Sequence, residues 1–509
     1  MYLINKHNNV NILTLIFFFV FGCDKPNDVE YFYEESICIK EGLIQINNYC
    51  CLLDSVNNQL FTTINPEELD QFIGVISFPV DYNVKINGDF VENGYGYDFG
   101  SINMGDTIPV QIIKNDTATF EYNLIFTILS TISISASTDI IDDPKVLSEI
   151  IINDVESNTA YKTFAGIELR GGTAQTFPKK SYDLELWADT TESDTRNESL
   201  FGLRNDDDWH LDAMFVDLSR TRNILGMDTW SSFGRSDHTS IEHYAKLGQR
   251  GHTVELIMNN HYAGVYSMNE QIDRKQLKLD KENGILYKTL SWSNEIRYLG
   301  IDSEPEVSLH WNGYDLKFPE FASIENWDPI YNLVHLVAYS DDNTFLDSIE
   351  SMIDIDNAID YWLFINAIQA NDNSGKNMFI FRYDEGYRLC YLPWDLDLTF
   401  GNKNSPYTVD DPDDLILTNN LFDRLFDLNV NNYKEKVNLR WNELYGNNLK
   451  NDIIYRLTLE MEKIITSGAS LRDNNRWDID TDYNEKLEYI TEWIEIRLSF
   501  FDNYINQNF

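Results

Sequence analysis

Hydrophobic periodicity changes character once along this chain, near Pro329, and that change limits the fold more than any other feature. Before it, apolar residues come in short alternating runs bounded by turn residues; after it, they recur at helical spacing. Strands and helices segregated in this way read as α+β, with a β-rich N-terminal part and a helical C-terminal part. At 509 residues the chain exceeds one ordinary core, so two or three domains are expected.

Within the first part, residues 75–78, 82–86 (before Asn87-Gly88) and 107–113 (before Asn115-Asp116) predict strands. Their spacing over 29–126 suggests a small antiparallel, Ig-like β-sandwich. From 127 to about 311, strands are predicted at 132–136, 148–153, 166–170 and 181–187. A helix is predicted over 212–233, and a hairpin pairs 253–258 with 263–268. Helices follow at 330–337, 355–370, 421–429, 433–444, 453–466 and 484–505.

The first residues bear on compartment. The apolar run at 12–21 is about ten residues, too short to span a bilayer core of ~30 Å as a helix. It fits the core of a secretory signal, 1–22. It ends Val20-Phe21-Gly22-Cys23, which resembles the lipobox of bacterial lipoproteins, with Cys23 the lipidated residue and 23–28 a polar tether. The expected location is therefore secreted and lipid-anchored to the cell envelope or surface. Export permits a disulfide from Cys38 to Cys50 or Cys51. Cys390 lies in an apolar run and reads as a buried thiol.

The net charge of −44 repels phosphate backbones, and no local basic patch offsets it, so a nucleic-acid partner is not expected. The chemistry-bearing segment is 370–402. Asp372-Asn-Ser-Gly-Lys-Asn377 has the Asp-x-x-x-x-Asn spacing in which the Asp accepts a hydroxyl proton and the Asn holds a metal. A hairpin of 378–382 and 387–392 leads into Pro393-Trp-Asp395-Leu-Asp397. If that segment stays extended, the two carboxylates share a side and suit a hard cation. Trp209 and Trp394 read as packing, and His210, His252 and His261 have no partners at metal spacing. Asp478-x-Asp480-x-Asp482 lacks the glycine and the distal Glu of a calcium loop, and 410–414 reads as a solvated acidic loop.

From about Thr127 onward the chain resembles the spore coat protein H family of atypical secreted kinases (CotH kinases). The resemblance rests on five elements in order: Arg170-Gly-Gly-Thr173 with Phe177-Pro-Lys-Lys-Ser-Tyr182; Leu200-Phe-Gly-Leu203 with Asp207-Asp-Trp-His-Leu211; the 259–273 hairpin with Asn260, Tyr262, Gly264 and Glu270; Asn377-Met-Phe-Ile-Phe381; and Pro393-Trp-Asp-Leu-Asp-Leu-Thr-Phe-Gly401. It implies a kinase-like two-lobed domain over 127–509, N-lobe about 127–311 and C-lobe about 312–509. It further implies Asp372 as the general base, and Asn377, Asp395 and Asp397 as ligands of Mg²⁺ or Mn²⁺. Lys180, in preference to Lys179, would grip the ATP phosphates, with Arg170 near them and Glu270 contacting the nucleotide or pairing with a cation. The implied activity is transfer of the ATP γ-phosphoryl group to a Ser or Thr hydroxyl of an exported or surface protein. Two alternatives stay open: a non-catalytic surface module that keeps the fold and binds a glycan or protein, and a nucleotide-dependent transferase such as an AMPylating enzyme.

Overall fold

Residues 36–509, apart from 116, 192–193 and 404, are described by a computed structural model. The signal, Cys23, the tether and the start of the 29–126 region lie outside the described residues.

Two sheets open the described chain. Tyr49–Cys50, Gln45–Ile46, Phe72–Ser77 and Tyr95–Gly100 make one; Leu52–Asp54, Gln59–Thr63, Ala118–Thr127, Ile108–Lys114, Tyr82–Ile86 and Asp89–Phe90 make the other. They close on a shared core that includes Ile46, Phe72, Ile76, Val84, Val110, Leu124 and Phe126. One feature departs from the antiparallel expectation: Gln59–Thr63 pairs parallel to Ala118–Thr127. The long intervening chain returns in the same direction, as a parallel pair requires. Cys38 is bridged to Cys50, and Cys51 is a free buried thiol that burial pushes up to about 12.

A seven-stranded closed barrel follows, in the order Ser130–Ala136, Val146–Asp154, Thr159–Arg170, Ser181–Trp187, Asp208–Asp212, His261–Glu270 and Gly251–Met258. Alternation sends Tyr182, Leu184, Leu186, Trp209 and Leu211 inward to a core with Ile132, Ile152 and Val254. The intervening Asp183, His210 and Asp212 therefore face outward, and Asp183 is directly opposite His210.

His252 seals the barrel where its ring stacks on Phe201, centroids 4.8 Å apart, and meets Ser130 Oγ at 3.2 Å. Burial pulls its pKa down to about 4. Below pH 6.5 the unfolded chain takes up this proton and the folded chain does not, so stability falls as pH drops from 6.5 to about 4. We expect this one group to cost about 3 kcal/mol over that interval. In urea unfolding, the gap between wild type and His252→Phe should shift in favour of the variant by that amount between pH 7 and pH 4.

The helix expected over 212–233 is realised only as Arg222–Phe233. Upstream, the Asp217 carboxylate collects the N–H groups of Ser219, Thr221 and Arg222 at 2.8–2.9 Å, while Met214 and Arg220 adopt φ of 49° and 59°. A side chain that takes up backbone donors competes with the helix ladder.

Beyond the barrel come helices Asp328–Tyr339, Asp342–Met352, Ile355–Ala367, Asn420–Asp427, Tyr433–Gly446, Leu449–Thr466, Ala469–Trp477 and Tyr483–Asn508; Tyr433–Gly446 and Tyr483–Asn508 pack on Ile355–Ala367, which is buried along almost its whole length. Asp342–Met352 and Ala469–Trp477 have no counterpart in the expected helices. A five-stranded sheet is set among them, ordered His310–Trp311, Tyr314–Phe318, Ile285–Thr289, Met378–Arg382 and Cys390–Pro393. None of the helices among the described residues is long and apolar enough to cross a membrane.

Ala469–Trp477 docks on the barrel hairpin through charge. Asp473, wholly buried, accepts from Lys179 Nζ at 2.9 Å, Arg220 Nε at 3.0 Å and the Val265 N–H at 3.0 Å. The two cations hold its carboxyl below the usual range. Gly264 makes room for this contact: its φ is +103°, and a Cβ there would stand 2.2 Å from Asp473 Oδ1.

Candidate active site

The register of the sheet brings the two acidic motifs together. Met378 pairs with Pro393, so Asn377 and Trp394 leave the strands side by side, joined by Trp394 N–H to Asn377 O at 3.0 Å. Buried Asn373 fastens the same junction, donating to Trp394 O at 2.9 Å, and its own carbonyl accepts from Tyr361 Oη at 2.7 Å. Asn377 adopts φ 54°, and its Nδ2 donates to Asp395 Oδ2 at 3.2 Å and lies 3.5 Å from Asp372 Oδ2. Asp372 also pairs with Lys376 Nζ at 2.8 Å. Two carboxylates far apart in sequence thus meet at one amide.

The segment after Pro393 is not extended, contrary to expectation: the strand ends there, and Asp395 takes φ 58°. Asp395 and Asp397 nevertheless act on one another, because the loop is drawn onto the start of helix Arg222–Phe233. Asn223 Oδ1 accepts from Leu396 N–H at 3.1 Å while its Nδ2 donates to Asp212 Oδ2 at 3.1 Å. Arg222 donates to Thr399 O at 2.9 Å, and the Leu396 side chain fills the space over Gly226.

The result is a cluster of carboxylates with too few cations. Asp395 reaches solvent, yet protein crowds round it; that desolvation, and facing Asp212 and Asp372, push its carboxyl up, while Arg170 and Lys288 oppose the shift. Burial, then Asp395, Asp212, Asp217 and Asp372, push Asp397 well above the usual range. Carboxylates that raise one another in this way favour a counter-cation, and oxygen donors suit a hard divalent ion.

Of the cationic residues expected here, Arg170 arrives. Its guanidinium lies 5.2 Å from the Trp394 ring centre, and its Nε is 2.9 Å from Asp183. Lys179 and Lys180 are engaged elsewhere: Lys179 in the buried group with Asp473, Lys180 by donating to Gln175 O at 2.6 Å from a position just before the strand. Glu270 is buried against Arg250 at 2.9 Å and accepts from the Arg204 N–H at 2.8 Å, so a cation has taken it.

Several residues here were not singled out from sequence. Asp212 and Asn223 lay within a stretch expected to be simply helical. Lys288 is half-buried with its Nζ 4.8 Å from the Trp394 ring centre; burial, then Arg170 and Lys317, lower it to about 8. Trp394 is therefore more than packing, since it carries both cations. His210, its ring also against Trp394, is held neutral by burial and by these same cations. Asp410 is buried rather than solvated, paired with Lys403 at 2.9 Å and accepting from Asn371, the neighbour of Asp372. Two signals were available: an arginine opening a helix, where the dipole disfavours it, and a lysine inside an apolar strand.

Residues 167–501 match the family model described as CotH kinase protein. Over 267 residues the chain is 23% identical to the inner spore coat protein H of Bacillus subtilis (strain 168). That match covers 52% of this chain and 64% of the relative, so the chain spans less than two thirds of the relative's length.

Proposed function

This chain belongs to the CotH kinase protein family, and from that premise we propose that it is a phosphotransferase moving the ATP γ-phosphoryl group to a Ser or Thr hydroxyl. The carrying observation is the single Asn377 amide that lies against both Asp372 and Asp395. Phosphoryl transfer asks for little covalent chemistry from a protein; it needs a hydroxyl-orienting carboxylate within reach of a charged phosphate site.

The carboxylates of Asp395, Asp397 and Asp212 repel one another and offer only oxygens, so they would hold a divalent cation, with Asn377 joining through its amide oxygen. When bound, Mg²⁺ or Mn²⁺ would supply positive charge to the phosphates. The remaining work falls to the chain's own groups. Asp372 orients the acceptor hydroxyl and takes its proton as the oxygen–phosphorus bond forms and ADP leaves. Lys376 keeps that carboxylate in place. Asn373 and Asn223 hold the two motifs at fixed separation. On this reading the barrel and its flanking strands serve as the N-lobe and the helical region as the C-lobe of a kinase-like domain, with the 29–126 region as an accessory module.

The relative's name places that protein in a spore coat. For this chain we carry over only an exported or surface setting; lipid attachment at Cys23, proposed from the sequence pattern alone, and an exported or surface protein as acceptor complete the proposal.

Thermal stability with ATP and Mg²⁺ together, against each alone, tests the reading. A ligand at 100 times its Kd adds about 2.7 kcal/mol of stability. We expect that gain in the wild type and its loss in Asp395→Ala. No gain with any metal–nucleotide pair would favour the binding-module alternative.

A further inference from the structure

We propose that the phosphate-gripping lysine of this site is Lys288, acting with Arg170 across the Trp394 ring, and that neither lysine of the Pro178-Lys179-Lys180 element has this task. The inference rests on the phosphotransferase reading above and names the residues that recognise a polyphosphate within it.

Three observations carry it. First, the competitors are committed: the Lys179 side chain is 0% exposed with its ammonium on Asp473 and Val265 O, and the Lys180 ammonium is on Gln175 O. Second, Lys288 makes ring contacts, to Trp394 at 4.8 Å and Phe379 at 5.8 Å, and no ion pair or hydrogen bond of its ammonium occurs among the described residues. Its stem is therefore fixed while its donors remain available. Third, the arrangement is costly without an anion. Arg170 and Lys288 share one indole and repel each other, with Lys317 adding to the repulsion, and Asp395 and Asp183 offset it only in part, since the Lys288 pKa is still lowered. An anion lying against Trp394 relieves that repulsion, and the next residue in the chain is Asp395. Cations on one side and metal-binding carboxylates on the other match a metal-chelated polyphosphate, whose oxygens take both kinds of partner. The Met378–Pro393 register and the Lys288–Phe379 pairing place the lysine there.

Calorimetric titration of the full chain with ATP and Mg²⁺, and separately with inorganic tripolyphosphate and Mg²⁺, tests the assignment. Lys288→Met preserves the packing of the stem. It should weaken both ligands roughly ten- to a hundredfold, and Lys288→Arg should recover most of the affinity. Wild-type binding of tripolyphosphate but not ATP, lost in Lys288→Met, would support the lysine's role while removing the kinase reading. Unchanged affinity in a folded Lys288→Met protein, affinity lost in Lys180→Met instead, or no wild-type binding of either ligand, would each overturn it. A second measurement needs no variant. An acyl-phosphate derivative of ATP transfers its acyl group to a nearby lysine amine, forming an amide and releasing ATP. Peptide mass spectrometry of the wild type should find the label on Lys288; a label confined to Lys179, Lys180 or Lys376 would overturn the assignment.

Discussion

An Asp372→Asn protein is expected to keep its fold and its nucleotide affinity while phosphoryl transfer slows by about 10²–10⁴-fold, the usual worth of a positioned proton acceptor. The substitution changes one oxygen to a nitrogen, so packing is conserved. Its structural cost is small, because the ion pair it breaks, with Lys376, is partly exposed, and such pairs contribute about 0–1 kcal/mol. The amide loses the capacity that matters: it cannot take up the hydroxyl proton. Initial rates at saturating ATP, with a thermal melt on the same sample, separate the two effects. A rate within tenfold of wild type would remove Asp372 from the chemistry.

The largest stability effect is expected at a residue far from Asp372 in sequence. Asp473→Ala removes the one carboxylate that Lys179 and Arg220 share in a wholly buried setting. Breaking a buried charge group from one side costs about 3–5 kcal/mol, chiefly because the remaining charges stay buried without a partner. Arg220 retains the carbonyls of Met214 and Asp217, so Lys179 bears most of the loss. Urea unfolding should show this loss in Asp473→Ala and a smaller one when Lys179→Met is combined with Asp473→Leu, which removes charge from both sides. A loss below about 1 kcal/mol would mean that helix Ala469–Trp477 is held to the barrel by its other contacts, such as Arg472 on Glu255.

Local pattern carried much of this fold. Strands such as Tyr82–Ile86 and Ser181–Trp187 alternate cleanly and were legible residue by residue. Most of the helices after Pro329 were equally plain. Helix Ala469–Trp477 was not, because its polar face is turned to a charged barrel surface and gives no apolar stripe. The 212–221 stretch misled for the opposite reason. Its apolar spacing is helical, but the Asp217 carboxylate holds the backbone in turns.

The acidic half of the site was legible because its spacing is local: Asp372 and Asn377 share a loop, and Asp395 and Asp397 a turn. The cationic half was not, since Arg170, Lys288 and Trp394 come together only when the barrel's outer face meets the loop after Pro393. The motif pointed to Lys179 and Lys180, and the strand face shared with Tyr182, Leu184 and Leu186 favoured Lys180; the strand begins only at Ser181, and the deciding facts were what occupied each ammonium.

The most direct test of the central claim is the intact mass of an acceptor protein after incubation with the full chain, ATP and Mg²⁺. One phosphoryl group should be gained on a Ser or Thr, abolished in Asp395→Ala and nearly so in Asp372→Asn. An AMP adduct would mean attack at the α-phosphorus, and equal phosphorylation by both folded variants would mean that chemistry lies elsewhere; either result would contradict that claim.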